Sequence, residues 1–146
     1  MGRVLCIDYG KSRIGLALSD PLQIIASPLK TIESRNTEKV ILTIQDIVIK
    51  NDVELIAIGL PIALSGNSTA QTEEVKNFIN LLRNEISAPV EEVDERLSSV
   101  EAIKILHKKG VRTGHNKGEI DKTAAAIILQ TYLDTKNYRP SLQSAH

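Results

Sequence analysis

Three acidic positions could do chemistry together. The first, Asp8, closes an apolar run, RVLCIDY (3–9). Val4, Cys6 and Asp8 would share one face of a strand, and Leu5, Ile7 and Tyr9 the other. Both faces are apolar up to Ile7, so the strand is expected to be central and covered on both sides. An unpaired carboxylate there costs several kcal/mol or takes up a proton. Asp8 therefore either caps the following turn, as Asp often does, or holds a cation. The second position lies in VDER (93–96), where Asp94 and Glu95 are expected at the end of another strand, just before a helix. Alternation lets only one of them face a given side, and spacing does not say which. The simpler account is an exposed strand end, with Arg96 paired to a neighbour for little energy. The third, Asp121, opens the last helical pattern, where acidic residues serve as caps and suit the helix dipole. It also aligns with Ala125, Ile128 and Tyr132, and Ala124 and Ala125 are small enough to let a sheet approach closely. Carboxylates converging from separate segments, without His or Cys, form a hard oxygen site suited to Mg²⁺ or Mn²⁺. His107, His115 and His146 show no metal-ligand spacing.

The elements that must position these groups follow from periodicity. RVLCIDY and RIGLALS (13–19) read as two strands joined by a short turn, hence a hairpin. ASPLKTI (26–32) is a third strand, with Pro28 marking an edge or a strand start. Asn36 can cap a helix to about residue 50, with Val40, Ile41, Ile44, Ile47 and Val48 on one face. VELIAIG (53–59) fits a buried strand. After the loop LSGNST (64–69), a helix carries Val75, Phe78, Ile79 and Leu82 on one face. Pro89 precedes a short strand, VEEVDE. The capping box SSVE (98–101) opens a helix expected to end at Gly110. KKGVRTGHNKGE (108–119) reads as a basic, glycine-rich loop, mobile through Gly110, Gly114 and Gly118. The last helix is expected over 120–133, with a polar tail that frays. The order β-β-β-α-β-α-β-α-α predicts one mixed five-stranded α/β sheet. An antiparallel meander leads into parallel β-α-β units, with helices on both faces. Ligands of such sheets gather at the carboxyl ends of parallel strands.

Composition narrows the classes. A chain of 146 residues, 42% hydrophobic and 25% charged, suits one globular domain, taken as 1–138 with a flexible tail at 139–146. Aromatics make up 3%, too few for a base-stacking platform. Lys plus Arg equals Asp plus Glu at 18 each, so phosphate binding must come from a local patch or a metal. The single cysteine, Cys6, excludes an internal disulfide and a Cys-rich zinc site, and reads as a small core residue. With no leader and no apolar run of membrane length, a soluble cytoplasmic protein is expected.

IDYGKSRIGLALSD, AIGLP, SGNSTAQTEEVKNF, EVDERLSS and DKTAAAIILQTYL follow one another in order. Over residues 3 to about 135 this set resembles the YqgF family of bacterial proteins, described as Holliday-junction-resolvase-like and as pre-16S rRNA nucleases. The resemblance implies a ribonuclease H-like fold, with Asp8, Glu95 and Asp121 as catalytic carboxylates and metal ligands. It thereby selects Glu95 over Asp94. Two departures stand out: Ser65-Gly66 replaces an acidic residue followed by Gly, and GNST replaces a more usual continuation before the Gln.

The implied reaction is metal-assisted hydrolysis of a phosphodiester. Two Mg²⁺ or Mn²⁺ ions about 4 Å apart would form the clamp. Nucleic-acid backbone would be held by Lys11 and Arg13 of the hairpin, Arg96, and Lys109, Arg112 and Lys117 of the basic loop, with Lys108 and His115 nearby. Charge runs of this kind are otherwise solvated surface. The expected substrate is the 5′ end of pre-16S rRNA. The alternative is branched DNA, where a symmetric junction cutter needs a homodimer, whereas an rRNA nuclease can act as a monomer. Two rivals remain. One is an ATPase of the actin and sugar-kinase type, which would need a second domain. The other is a non-catalytic nucleic-acid-binding module.

Overall fold

The computed structural model describes residues 2–10, 12–33, 36–60, 70–94 and 117–138. It contains strands β1 (Arg3–Tyr9), β2 (Arg13–Ser19) and β3 (Ala26–Glu33), helix α1 (Thr37–Lys50) and strand β4 (Val53–Leu60). Helix α2 (Ala70–Glu85), strand β5 (Val90–Asp94) and helix α3 (Lys117–Asn137) follow. The five strands form one sheet in the order β3-β2-β1-β4-β5. The β1–β2 and β2–β3 pairs are antiparallel, while β1–β4 and β4–β5 are parallel. The expected mixed sheet is present, with β1 at its centre and the Pro28 strand at an edge. The helix expected between Ser98 and Gly110, and the tail from residue 139, lie outside the described residues.

The two sheet faces bury different chemistry. One packs Leu5, Ile7, Ile14, Leu16, Ile56 and Ile58 against Ile44 of α1 and Phe78, Ile79 and Leu82 of α2. Large aliphatic side chains here hold the helices at ordinary packing distance. Each fully buried Leu or Ile contributes about 1.5–3 kcal/mol by transfer. The opposite face carries small residues, Cys6, Ala17 and Ala57, against Ala124, Ala125, Ile128, Leu129 and Leu133 of α3. Small residues on both sides let α3 lie unusually close to the strands.

Asn36 caps α1 as its sequence position predicts: its Oδ1 accepts from the Lys39 N–H at 3.2 Å. Replacing it (Asn36→Ala) is expected to cost about 1 kcal/mol, read as a lowered midpoint in urea denaturation with an unchanged slope.

Helix α3 departs from the expected 120–133 at both ends. It starts at Lys117, so Lys117 and Gly118 belong to the helix and not to the basic loop. Asp121 consequently stands in the second turn and not in the first. At the far end the helix runs on to Asn137, where a fraying tail was expected. Tertiary hydrogen bonds hold this extension. Gln130 donates to the Ile24 carbonyl and accepts from the Ala26 N–H, both at 2.9 Å. Lys136 donates to Gln23 Oε1 at 3.0 Å, and Asn137 Nδ2 donates to the Gln23 carbonyl at 2.8 Å. Gln23 itself is buried, adopts a positive φ of 59°, and donates to the Gly2 carbonyl at 2.8 Å. The β2–β3 connection thus clamps the end of α3. Beside it, two backbone N–H groups, of Ile25 and Ile24, hold the Asp20 carboxyl below the usual range. Further along the sheet, the Tyr132 hydroxyl donates to Glu91 at 2.6 Å, tying α3 to β5. Burial and then the Glu91 carboxylate push that hydroxyl above its ordinary pKa. No described helix is long and apolar enough to cross a membrane.

Candidate active site

Asp8 lies one residue from the carboxyl end of the central strand and is 4% exposed. Its neighbours on the same face, Val4 and Cys6, pack against α3, so alternation directs Asp8 toward α3 as well. Across the sheet Asp8 pairs with Gly15 of β2 and with Gly59 of β4. The row continues to Thr31 on one side and Val93 on the other. The carboxylate is therefore flanked by two residues without side chains. On this face the row beside Asp8 therefore presents backbone at Gly15 and Gly59 and no side chains, above which a helix backbone can come close.

Asp121 enters the same space from above. A Cβ built on Gly15 would lie 2.1 Å from the Asp121 carbonyl oxygen and 2.5 Å from its carbonyl carbon. The helix backbone rests on the Gly15 backbone, one strand from Asp8. Strand neighbours stand about 5 Å apart, so the Asp121 backbone lies beside Asp8 even though 113 positions separate the two residues in the numbering. Gly15 is a site residue that the sequence reading passed over. Its signal was a lone glycine inside an otherwise regular strand, RIGLALS, which marks close approach of another backbone.

Arg13 shares the α3 face with Gly15 and Ala17. Its Nε donates to Asp121 Oδ2 at 2.7 Å, with side-chain exposures of 34% and 25%. This charge-assisted contact is short, but its partial exposure limits it to about 1 kcal/mol. It ties the hairpin to α3 directly at the candidate site.

Asp94 falls on the other side. It pairs with Leu60, whose side chain belongs to the α1–α2 core. By alternation it follows Glu92, which faces Arg83 of α2 at 3.7 Å. Asp94 thus shares no face with Asp8. Glu95, Arg96, Lys11, Lys109 and Arg112 lie outside the described residues, and Lys117 is described only in its backbone. Among the described residues no group of three His, Cys, Asp or Glu side chains forms a metal-binding cluster. Those brought together are Asp8, Asp121, Arg13 and the glycines beneath them.

The chemistry available is that of two carboxylates, Asp8 buried near the carboxyl end of β1 and Asp121 on α3, ion-paired with Arg13. An all-oxygen set suits a hard divalent ion. The Arg13 guanidinium stands where positive charge is needed beside Asp121. Asp8 and Asp121 are of the donor type such an ion takes.

Comparison with known proteins bears on the family and the fold. The model of the family described as "RuvX: Holliday junction resolvase" matches residues 2–135. A protein of Chloroflexus aurantiacus named "Putative pre-16S rRNA nuclease" is 40% identical over 138 residues, covering 94% of this chain and 90% of that protein. One of the same name from Koribacter versatilis is 36% identical over 135 residues, covering 92% and 88%. Among solved structures, Thermus thermophilus RuvC in complex with a Holliday junction substrate has a TM-score of 0.59 at 15% identity, covering 93% of this chain and 96% of that one. The yeast mitochondrial Holliday junction resolvase Ydc2 has a TM-score of 0.54 at 12% identity, covering 99% and 85%. These two likenesses establish the ribonuclease H-like fold that the family resemblance implied. A family match over nearly the whole chain, with relatives at 40% identity, leads to one conclusion: the chain belongs to the RuvX family.

Proposed function

We propose that this protein is a divalent-metal-dependent nuclease of the cytoplasm that hydrolyses phosphodiester bonds in the precursor of 16S rRNA. The observation that supports this reading is the close contact of the Asp121 backbone with Gly15, the strand partner of the buried Asp8. Asp8 and Asp121 would hold Mg²⁺ or Mn²⁺, with Glu95 as the third ligand. The position of Asp94 on the opposite face supports Glu95 as that ligand. When bound, the metal supplies Lewis-acid stabilisation of the phosphate and a hydroxide nucleophile at neutral pH. The chain's own residues bind and orient. Asp8, fixed on the central strand, provides the rigid reference point. Asp121 is carried to it by α3. Lys11, Arg13, Arg96, Lys109, Arg112 and Lys117 would contact substrate backbone. Residues 1–138 would act as a single domain.

The family description favours a second reading, in which the same chemistry acts on four-way DNA junctions. Cleavage of precursor rRNA and of a synthetic four-way junction, side by side with Mn²⁺, distinguishes the two. Specific trimming of the rRNA 5′ end is expected, with the junction left intact. Cutting of the junction alone would reverse the assignment, and cutting of neither would remove the nuclease reading.

A further inference from the structure

We infer that Arg13 is a built-in counter-cation that competes with the divalent ion for Asp121, setting how tightly the metal-free protein takes up metal. The inference rests on the metal reading of Asp8 and Asp121 and goes beyond it. Three observations carry it. The Arg13 Nε sits 2.7 Å from Asp121 Oδ2 in a part-buried contact beside Gly15. Arg13 is held there by its strand: it lies two residues from Gly15, on the face that α3 covers. Asp8 is buried and pairs across the strands with Gly15, on which the Asp121 backbone rests, so Arg13 brings positive charge to a place where two acidic residues from distant segments approach.

Two roles are conceivable for an arginine bound to a ligand carboxylate. It could orient the carboxylate and so strengthen metal binding, as outer hydrogen bonds often do. Alternatively, its charge could oppose the metal. The magnitudes favour the second. The contact is partly solvated and orients through one nitrogen, which is a modest contribution. A full positive charge against a divalent ion a few ångströms away weakens binding about ten-fold or more, even at the high effective dielectric of a half-exposed site. Arg13 is thus a positioning residue in the metal-free protein. On metal entry its guanidinium is set free from Asp121 toward the substrate side, where a phosphodiester would be its natural partner.

The test is Mn²⁺ binding to the full chain, by calorimetry and by the electron paramagnetic resonance signal of free Mn²⁺. Wild type, Arg13→Gln, Arg13→Lys and Asp8→Asn are compared without nucleic acid. Arg13→Gln is expected to bind Mn²⁺ about ten-fold more tightly than wild type. Arg13→Lys, which keeps the charge, should stay within about three-fold of wild type on the same electrostatic grounds. A gain in affinity cannot come from damaged folding, so the sign separates this role from a merely structural one. Unchanged or weaker binding by Arg13→Gln, while wild type binds and Asp8→Asn does not, overturns the role of Arg13 and leaves the metal site standing. Absence of Mn²⁺ binding by wild type overturns both.

Discussion

Replacing Asp8 with asparagine (Asp8→Asn) is expected to lower metal-dependent cleavage by at least about 10³-fold while the fold persists. The Lewis-acid contribution of a bound metal is several kcal/mol, and about 4 kcal/mol corresponds to that factor. Asparagine has nearly the same shape as aspartate, so the packing of β1 between β2 and β4 need not change. It removes the charge that a divalent ion requires and keeps a polar group of the same size at this buried position. The melting temperature should therefore stay within about 4 °C of wild type. Far-ultraviolet circular dichroism and a thermal melt check the fold, and a cleavage assay with Mn²⁺ checks the activity. Wild-type activity in well-folded Asp8→Asn would sink the metal model. Lost activity together with a collapsed melt would instead make Asp8 a structural residue.

The second large effect is expected at a residue with no side chain. Replacing a strand glycine by alanine ordinarily stabilises a protein by about 0.5–1 kcal/mol, because glycine loses more conformational freedom on folding. Gly15→Ala should do the opposite. The new methyl would lie 2.1 Å from the Asp121 carbonyl oxygen, and both partners are backbone. No rotamer change relieves such a contact; α3 must move off the sheet or β2 must bend. Overpacking of this kind costs about 3 kcal/mol, which outweighs the entropic gain. For a chain of this length that is a fall of roughly 10 °C in melting temperature. Since the displaced backbone carries Asp121, cleavage should fall steeply even well below the melt. A Gly15→Ala protein as stable and active as wild type would show that α3 does not rest on this point.

How much of this was legible in the sequence differs from residue to residue. The two-sided apolar pattern of Val4 to Ile7 placed β1 at the centre of the sheet, and it is there. Pro28 marked an edge strand, and β3 is an edge. Val75, Phe78, Ile79 and Leu82 were read as one helix face, and all four are buried. These readings succeeded because residue periods of 2 and 3.6 are local consequences of backbone geometry. The limits of α3 were misread because local signals were outvoted. Gly118 and the polar stretch after Leu133 both argue against helix, yet hydrogen bonds to Gln23, Ile24 and Ala26 keep the far end wound.

By itself, then, the sequence determined the elements, the two-faced sheet and the location of a buried acid at the end of its central strand. Each depends on neighbours within a few positions, whose side chains must sort between core and water. Only the tertiary structure decided which groups meet. Arg13 and Asp121 are 108 positions apart, and no periodicity links them. They touch because Gly15 and a run of alanines let α3 settle onto the strands, so that backbone contact at Gly15 sets the position of Asp121 one strand from Asp8. Asp94 was separated from Asp8 in the same way, through the pairing of β5 with β4 and the pleat that follows from it.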